Sequence, residues 1–387
     1  MAARKPISLL KGADNIASTW PDEPNRFLED HVDAYLLWCV KRKSSDITLQ
    51  SDRPAYNEID GTLYPGTYRP LDAADLNVFT LRIYGPEAAA RLASGQDLDL
   101  SYEIKPDRYT RIRFRVNMTP ILSKGRDGVQ ITMRVLPNVP PSMLDLDVEE
   151  DIIKNWAPRQ GMVIVTGPTG SGKTTLLAAG NRMLLERPLG CGKMLTYEAP
   201  IEYVYDAIKS PRSLVSQTEI PRHLPDFAHG VRNALRRKPN IILVGEARDR
   251  ETISAAIEAA QTGHAVYTTT HTIGVAATVQ RMVSSFESNE RSERAYALME
   301  TIRMIVTQAL VPRVGGGRIG IREYMRFPDQ VREKLLDMDY REWSGELARI
   351  IPQYGRTMNQ AALEAFEKGQ IERRWYLLLA SSTSGGE

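Results

Sequence analysis

Gly167-Pro168-Thr169-Gly170-Ser171-Gly172-Lys173-Thr174 decides how this chain is read. The spacing of its glycines, Lys173 and Thr174 matches the phosphate-binding loop in full. An apolar run, Met162 to Thr166, precedes it and predicts a buried strand. The residues from Thr174 to about Glu186 predict a helix. The chemistry accounts for the residue types. Glycines let backbone N–H groups converge on phosphate oxygens without side-chain clashes, and a helix N-terminus adds favourable partial charge. Lys173 has the reach for the β- and γ-phosphates, and the Thr174 hydroxyl is a Mg²⁺ ligand. The eight loop residues with Thr175 form the expected nucleotide-binding set, with ATP and Mg²⁺ as its ligands. A glycine-rich turn with a chance lysine would lack both the strand before and the helix after.

Downstream, short apolar strands alternate with helices at Met194–Tyr197, Ile241–Val244 and Ala265–Thr269. This pattern predicts a mostly parallel sheet covered on both faces. Hydrolysis needs a group that activates water. Glu246 ends the strand 241–244 after Gly245, where a carboxylate faces Mg²⁺ and its waters, whereas Asp249 suits the cap of the next helix, 249–261. Glu198 and Glu202 follow the strand 194–197; they line a nucleotide crevice or sit in an exposed acidic loop. His264 and His271 bracket the strand 265–270, as phosphate sensors, as cross-subunit hydrogen-bonding groups or as satisfied structural histidines. No Cys or carboxylate stands at zinc-ligand spacing from them.

Upstream, residues 1–28 read as a loose arm, and Val32, Tyr35, Leu36 and Cys39 predict a helix over 30–41. Arg111, Arg113 and Arg115 alternate with Ile112, Phe114 and Val116, which puts the arginines on one face of a strand. A second strand, 129–136, carries Arg134 opposite its apolar face, and Gly125 and Gly128 join the two. These features predict a small mixed α/β domain over 29–136. The prolines of 137–141 and the acidic run 145–151 predict a linker, 137–150, before an α/β domain over 151–325. A helical segment, 326–380, and a frayed tail, 381–387, complete the division.

The 50 basic and 48 acidic residues nearly cancel, so no footprint for bulk nucleic-acid binding is present. Two distant cysteines, Cys39 and Cys191, fit a reducing compartment. Neither a signal peptide nor an apolar stretch long enough to span a bilayer is visible, so the expected location is cytoplasmic.

Taken in order, these motifs resemble the PilT-like and GspE-like traffic ATPases of secretion systems, pili and conjugation. The likeness rests on the phosphate loop, on Thr196-Tyr197-Glu198-Ala199-Pro200-Ile201-Glu202, on the strand ending at Glu246, and on Gly263-His264 to His271-Thr272. Ala234-Leu235-Arg236-Arg237 and Arg313 to Arg318 add to it. Ser216 to Pro225 and Val231 to Pro239 are similar to the branch that serves type IVB secretion and related conjugative plasmids. Ala199 stands where pilus-retraction enzymes carry Asp, and Asp329 to Leu336 lacks their C-terminal motif, which argues against a twitching motor. The resemblance implies a PAS-like N-terminal domain joined to a RecA-like ATPase domain with a helical C-terminal segment. It also implies a homo-hexamer that works with inner-membrane secretion components and is peripheral to that membrane. By the same resemblance Glu202, rather than Glu198, polarises the attacking water. It places Lys173, Glu246, His264 and His271 at the nucleotide, and has Arg115, Arg134 and Arg126 reach the phosphates.

Overall fold

Helical and two-residue periodicities in the first third of the chain resolve into one sheet and its covering helices. The computed structural model describes residues 19–108 and 110–381. The chain divides into two units between Asn138 and Val139. In the first, helix α1 (Glu29–Lys41) buries Val32, Tyr35, Leu36 and Cys39. Strands β1 (Asp46–Gln50), β2 (Tyr56–Ile59) and β3 (Thr62–Pro65) follow, then α2 (Ala73–Ile83), α3 (Ala88–Ala93), β4 (Leu98–Ile104), β5 (Ile112–Ser123) and β6 (Arg126–Leu136). All six strands pair antiparallel, in the order β3-β2-β1-β6-β5-β4. Alternate residues such as Ile47, Leu49, Phe114, Val116, Ile131 and Met133 form the core with Tyr35 and Phe79.

Three expectations for this unit are corrected. The loose arm does not extend through the described residues 19–28. Trp20 and Phe27 are buried, Phe27 packs 5.0 Å from Phe79 between ring centroids, and the Phe27 N–H donates to Asp75 Oδ1 at 3.0 Å. Its earlier part, 1–18, lies outside the described residues. Arg126 does not sit in a loop: it opens β6 opposite Ser123. The two-residue turn of this hairpin is Lys124-Gly125, both at positive φ, which matches the twist of the strands. Arg113 is not on a solvated face but buried, lying opposite Glu103 across the ladder.

The second unit starts with residues expected as a linker. Met143 and Val148 are instead buried in its core, beside α4 (Glu150–Asn155). Strand β7 (Gly161–Thr166) leads into α5 (Lys173–Leu185). Then come β8 (Gly192–Glu198), β9 (Ser213–Glu219), α6 (Phe227–Leu235), β10 (Ile241–Val244), α7 (Arg250–Gln261), β11 (Ala265–Thr270), α8 (Val275–Ser284) and α9 (Arg291–Thr301). Strands β12 (Ile302–Pro312) and β13 (Arg318–Arg326) form a hairpin, followed by α10 (Asp329–Leu336), α11 (Trp343–Tyr354), β14 (Gly355–Arg356), α12 (Met358–Glu367) and α13 (Arg373–Ser381). The sheet order is β14-β13-β12-β7-β11-β10-β8-β9, parallel from β12 to β9, with β13 and β14 antiparallel at one edge. Both faces are covered, as the apolar strands require. Met162 and Ile164 of β7 join the core beneath α7 and α9, while Val163 and Val165 join the opposite core with α5. Asp249 caps α7, accepting from the Thr252 N–H at 2.8 Å. Of the expected tail, Ser381 ends α13, and 382–387 lie outside the described residues.

Helix α5 packs so closely that Gly180 is required. A Cβ there would lie 2.1 Å from Nε1 of the fully buried Trp156, so the ring or the helix would have to shift. Gly180→Ala is therefore expected to destabilise the unit by about 2 kcal/mol despite alanine's better helix propensity. A melting temperature lowered by several degrees would confirm it, and an unchanged one would refute it.

Candidate active site

Parallel strands bring their C-terminal ends to one edge, and the phosphate loop sits there. It follows β7 directly, and the ladder pairs Thr166 with Thr270 of β11, so His271 is level with Gly167. Gly167, Gly170 and Gly172 all have positive φ, a conformation that side-chain-bearing residues rarely hold. Lys173 opens α5 and is 8% exposed; its Nζ donates to Gly167 O at 2.8 Å and Pro168 O at 3.0 Å. The ammonium also lies 3.4 Å from His271 Nδ1, and His271 Nε2 lies 3.3 Å from Glu246 Oε1. Both contacts are satisfied by a neutral ring with its proton on Nε2, accepting from lysine and donating to the carboxylate. Burial pulls the Lys173 pKa down, while the negative charges of Glu246 and then Glu202 push it back up. Both carboxylates thus act on one ammonium.

Each partner is fixed by its own element. Thr166, Thr270, Thr272 and Thr278 share hydroxyl contacts, with Thr272 Oγ1 at 2.8 Å from Thr166, 2.7 Å from Thr270 and 2.7 Å from Thr278. This cluster binds the turn carrying His271 to the strand that precedes the loop. Glu246 follows a backbone junction in which Gly245 N–H donates to Tyr197 O at 2.7 Å and Ala247 N–H to Thr269 O at 2.9 Å. The stretch carrying Glu202 is clamped to α5: Tyr203 OH lies 3.1 Å from Thr175 Oγ1, and Tyr205 OH accepts from Asn181 Nδ2 at 2.9 Å. Gln217 of β9 closes it from behind, donating to Tyr203 O at 2.8 Å and accepting from the Tyr205 N–H at 3.1 Å. Glu198 takes part in that scaffold, with Oε1 accepting from Thr196 Oγ1 at 2.6 Å and Gln217 Nε2 at 3.2 Å. Two neighbouring carboxylates therefore have different surroundings: Glu198 is buried among hydrogen-bond donors, and Glu202 acts on Lys173.

The Type II/IV secretion system protein model matches residues 22–369. The type IV pilus retraction ATPase PilT of Pseudomonas aeruginosa is 34% identical over 290 residues, covering 75% of this chain and 80% of that one. The crystal structure of the Legionella pneumophila ATPase DotB is similar at a TM-score of 0.89 with 47% identity, covering 94% of this chain and 98% of that one. That of the pilus retraction motor PilT with bound ADP is similar at 0.78 with 28% identity, covering 90% and 96%. The chain belongs to the Type II/IV secretion system protein family. It is an ATPase of that family, built on the two α/β units expected.

Not every expected site residue of this secretion ATPase lies in the cluster. His264 precedes β11 at the opposite end of that strand from the phosphate loop, where Nδ1 lies 3.0 Å from Ala259 O and 3.2 Å from Thr262 Oγ1. Six strand residues, roughly 20 Å, separate it from His271. Arg115, Arg134 and Arg126 belong to the first unit. Arg115 and Arg134 stand opposite each other on β5 and β6, with Asp99 at 3.7 Å and Asp46 at 2.9 Å respectively, and Arg126 meets Asp52 at 3.0 Å. Tyr203, Tyr205, Gln217 and Gln308 escaped the sequence reading. Their contacts lie between 12 and 137 residues apart along the chain, and no spacing rule announces those.

His271→Ala removes the link between Lys173 and Glu246 but neither charged group. It is expected to lower kcat by roughly ten- to a hundred-fold, the range of a single polar group at a reacting centre, with nucleotide affinity altered by less than about five-fold. Phosphate release alongside titration of a fluorescent ADP separates the two, and an unchanged kcat would remove His271 from the site.

Proposed function

We propose that this chain is a cytoplasmic motor that hydrolyses ATP with Mg²⁺ and acts as a homo-hexameric ring, peripheral to the inner membrane through secretion-system partners. It powers a type IV secretion apparatus of the IVB kind or conjugative transfer. The observation that carries the reading is the contact line Lys173–His271–Glu246 at the phosphate-loop edge of the sheet, with Glu202 acting on the same lysine. The 47% identity to the Legionella ATPase DotB supports the secretion branch. No described helix is long and apolar enough to cross a membrane, which supports attachment through partners.

In this reading Gly167 to Thr175 hold the triphosphate, and Lys173 neutralises charge on the transferring phosphoryl group. Glu202 orients and deprotonates the attacking water, and Glu246, through His271, keeps the lysine and the water in register. Hydroxyl and carboxylate oxygens suit a hard cation, so Thr174 and Glu246, partly through water, would hold Mg²⁺. When bound, the ion offsets negative charge on the phosphates. Among the described residues no group of three or more His, Cys, Asp or Glu could hold a metal alone, which fits an ion shared with the nucleotide. Arg115, Arg134 and Arg126 would contribute charge at the phosphates.

The similarity to PilT keeps a second reading in play, a pilus-retraction motor. Ala199 and the sequence of α10 favour the first. Deletion of the gene and complementation with wild type or E202Q distinguish them. Loss of secretion or conjugation, unrescued by E202Q, supports the proposal; loss of twitching motility with transport intact rejects it. Light scattering of the purified protein with and without ATP tests the hexamer.

A further inference from the structure

The phosphate loop has an anchor that the chemistry above does not use. Gln308 of β12 is 4% exposed, and its Nε2 donates to Ser171 O at 2.6 Å. Because a peptide unit is planar and trans, fixing that carbonyl also fixes the Gly172 N–H, which points the opposite way from the same unit. Gln308 Oε1 accepts from Arg322 Nε at 2.7 Å, from the directly opposite position on β13. Arg322 is 2% exposed and spends its remaining donors elsewhere. It reaches Leu146 O at 2.9 Å, Asp147 O at 3.1 Å and Glu149 Oε2 at 3.3 Å.

This arrangement is costly to build as packing alone. An apolar side chain would fill the Arg322 site without burying a charge. Room for the link is reserved at both ends by glycine. A Cβ at Gly172 would lie 2.8 Å from Gln308 Nε2, and one at Gly320 would lie 2.8 Å from Arg322 Nη2 and 3.2 Å from Gln308 Oε1. The far end is a turn under constraint. Asp147 holds a φ of 49°, unusual for a residue with a side chain, while Arg322 binds its carbonyl and Arg313 approaches its carboxylate at 3.2 Å. That turn follows closely after the division at Asn138 and Val139.

We propose that Gln308 and Arg322 are positioning residues that couple the phosphate loop to the turn 146–149, so that nucleotide at the loop orders the first stretch of the ATPase unit. The inference rests on the loop binding nucleotide. Hydrogen exchange of the full chain with and without Mg²⁺ and ADP tests both. In the wild type, exchange is expected to slow about ten-fold at 166–176 and also at 144–149. Q308E retains the pairing with Arg322 but cannot donate to Ser171 O. At saturating ADP it should still slow at 166–176 while the slowing at 144–149 falls below about two-fold. Since a second buried charge can cost the fold, G320A supplies an independent arm: it crowds Arg322 off Gln308 from outside the loop and should give the same loss. Equal slowing at 144–149 in either folded variant, or none there in the wild type, overturns the coupling alone. No slowing at 166–176 overturns the nucleotide site and the coupling together.

Discussion

Lys173→Ala is expected to lower kcat/KM for ATP by about a thousand-fold or more, which is about 4 kcal/mol of lost transition-state stabilisation. The magnitude follows from where the charge sits. Lys173 is buried as a residue, and its ammonium is held by two loop carbonyls and lies within the field of Glu246 and Glu202. In such a site an electrostatic contact is worth far more than in water. Truncation leaves the two carboxylates without their shared cation beside an incoming triphosphate, so nucleotide affinity should fall as well. The fold should persist, because the apolar contacts of α5 run through Leu176, Leu177, Ala179, Leu184 and Leu185 rather than through Lys173. Phosphate release, with circular dichroism as the control for folding, tests this. Turnover within ten-fold of wild type would place the phosphate chemistry elsewhere.

How much of this was legible in the sequence depends on the range of the interaction concerned. The loop, the strands ending at Thr166 and Val244 and the cap at Asp249 are local patterns, and they appear where periodicity and capping rules put them. His271 entered through the family resemblance, and the parallel register carries the end of β11, which it follows, level with the end of β7. That same register places His264 at the other end of β11, as befits a residue that brackets the strand with His271. The expected arm failed through contacts of longer range. Polar and proline-rich composition describes residues 19–28 well enough, yet Trp20 and Phe27 find a cavity among Tyr35 and Phe79 that only the folded sheet creates. Arg113 alternates correctly but is covered, because the fate of a strand face is set by what packs on it. The supports of Glu202 come from two separate elements, α5 and β9, acting through the tyrosines of its own stretch. Their signal in sequence is no more than two tyrosines and a glutamine.

Glu202→Gln separates binding from chemistry more sharply than any other substitution here. The amide is isosteric, so the clamp formed by Tyr203, Tyr205 and Gln217 should hold the residue in place. An amide cannot accept the proton of the attacking water, so kcat should fall by about a hundred-fold or more. One negative charge near Lys173 is lost as well, which leaves the ammonium freer to bind phosphate. ADP and ATP affinity should therefore stay within about three-fold or tighten, the reverse of the Lys173 variant. The control is Glu198→Gln, only four residues distant: its carboxylate oxygen accepts from Thr196 and Gln217, so the expected result is reduced thermal stability with kcat lowered far less. If instead Glu198→Gln arrests turnover and Glu202→Gln hydrolyses ATP at a near-normal rate, the two carboxylates have exchanged roles, and Gln217 is a support of the catalytic group directly.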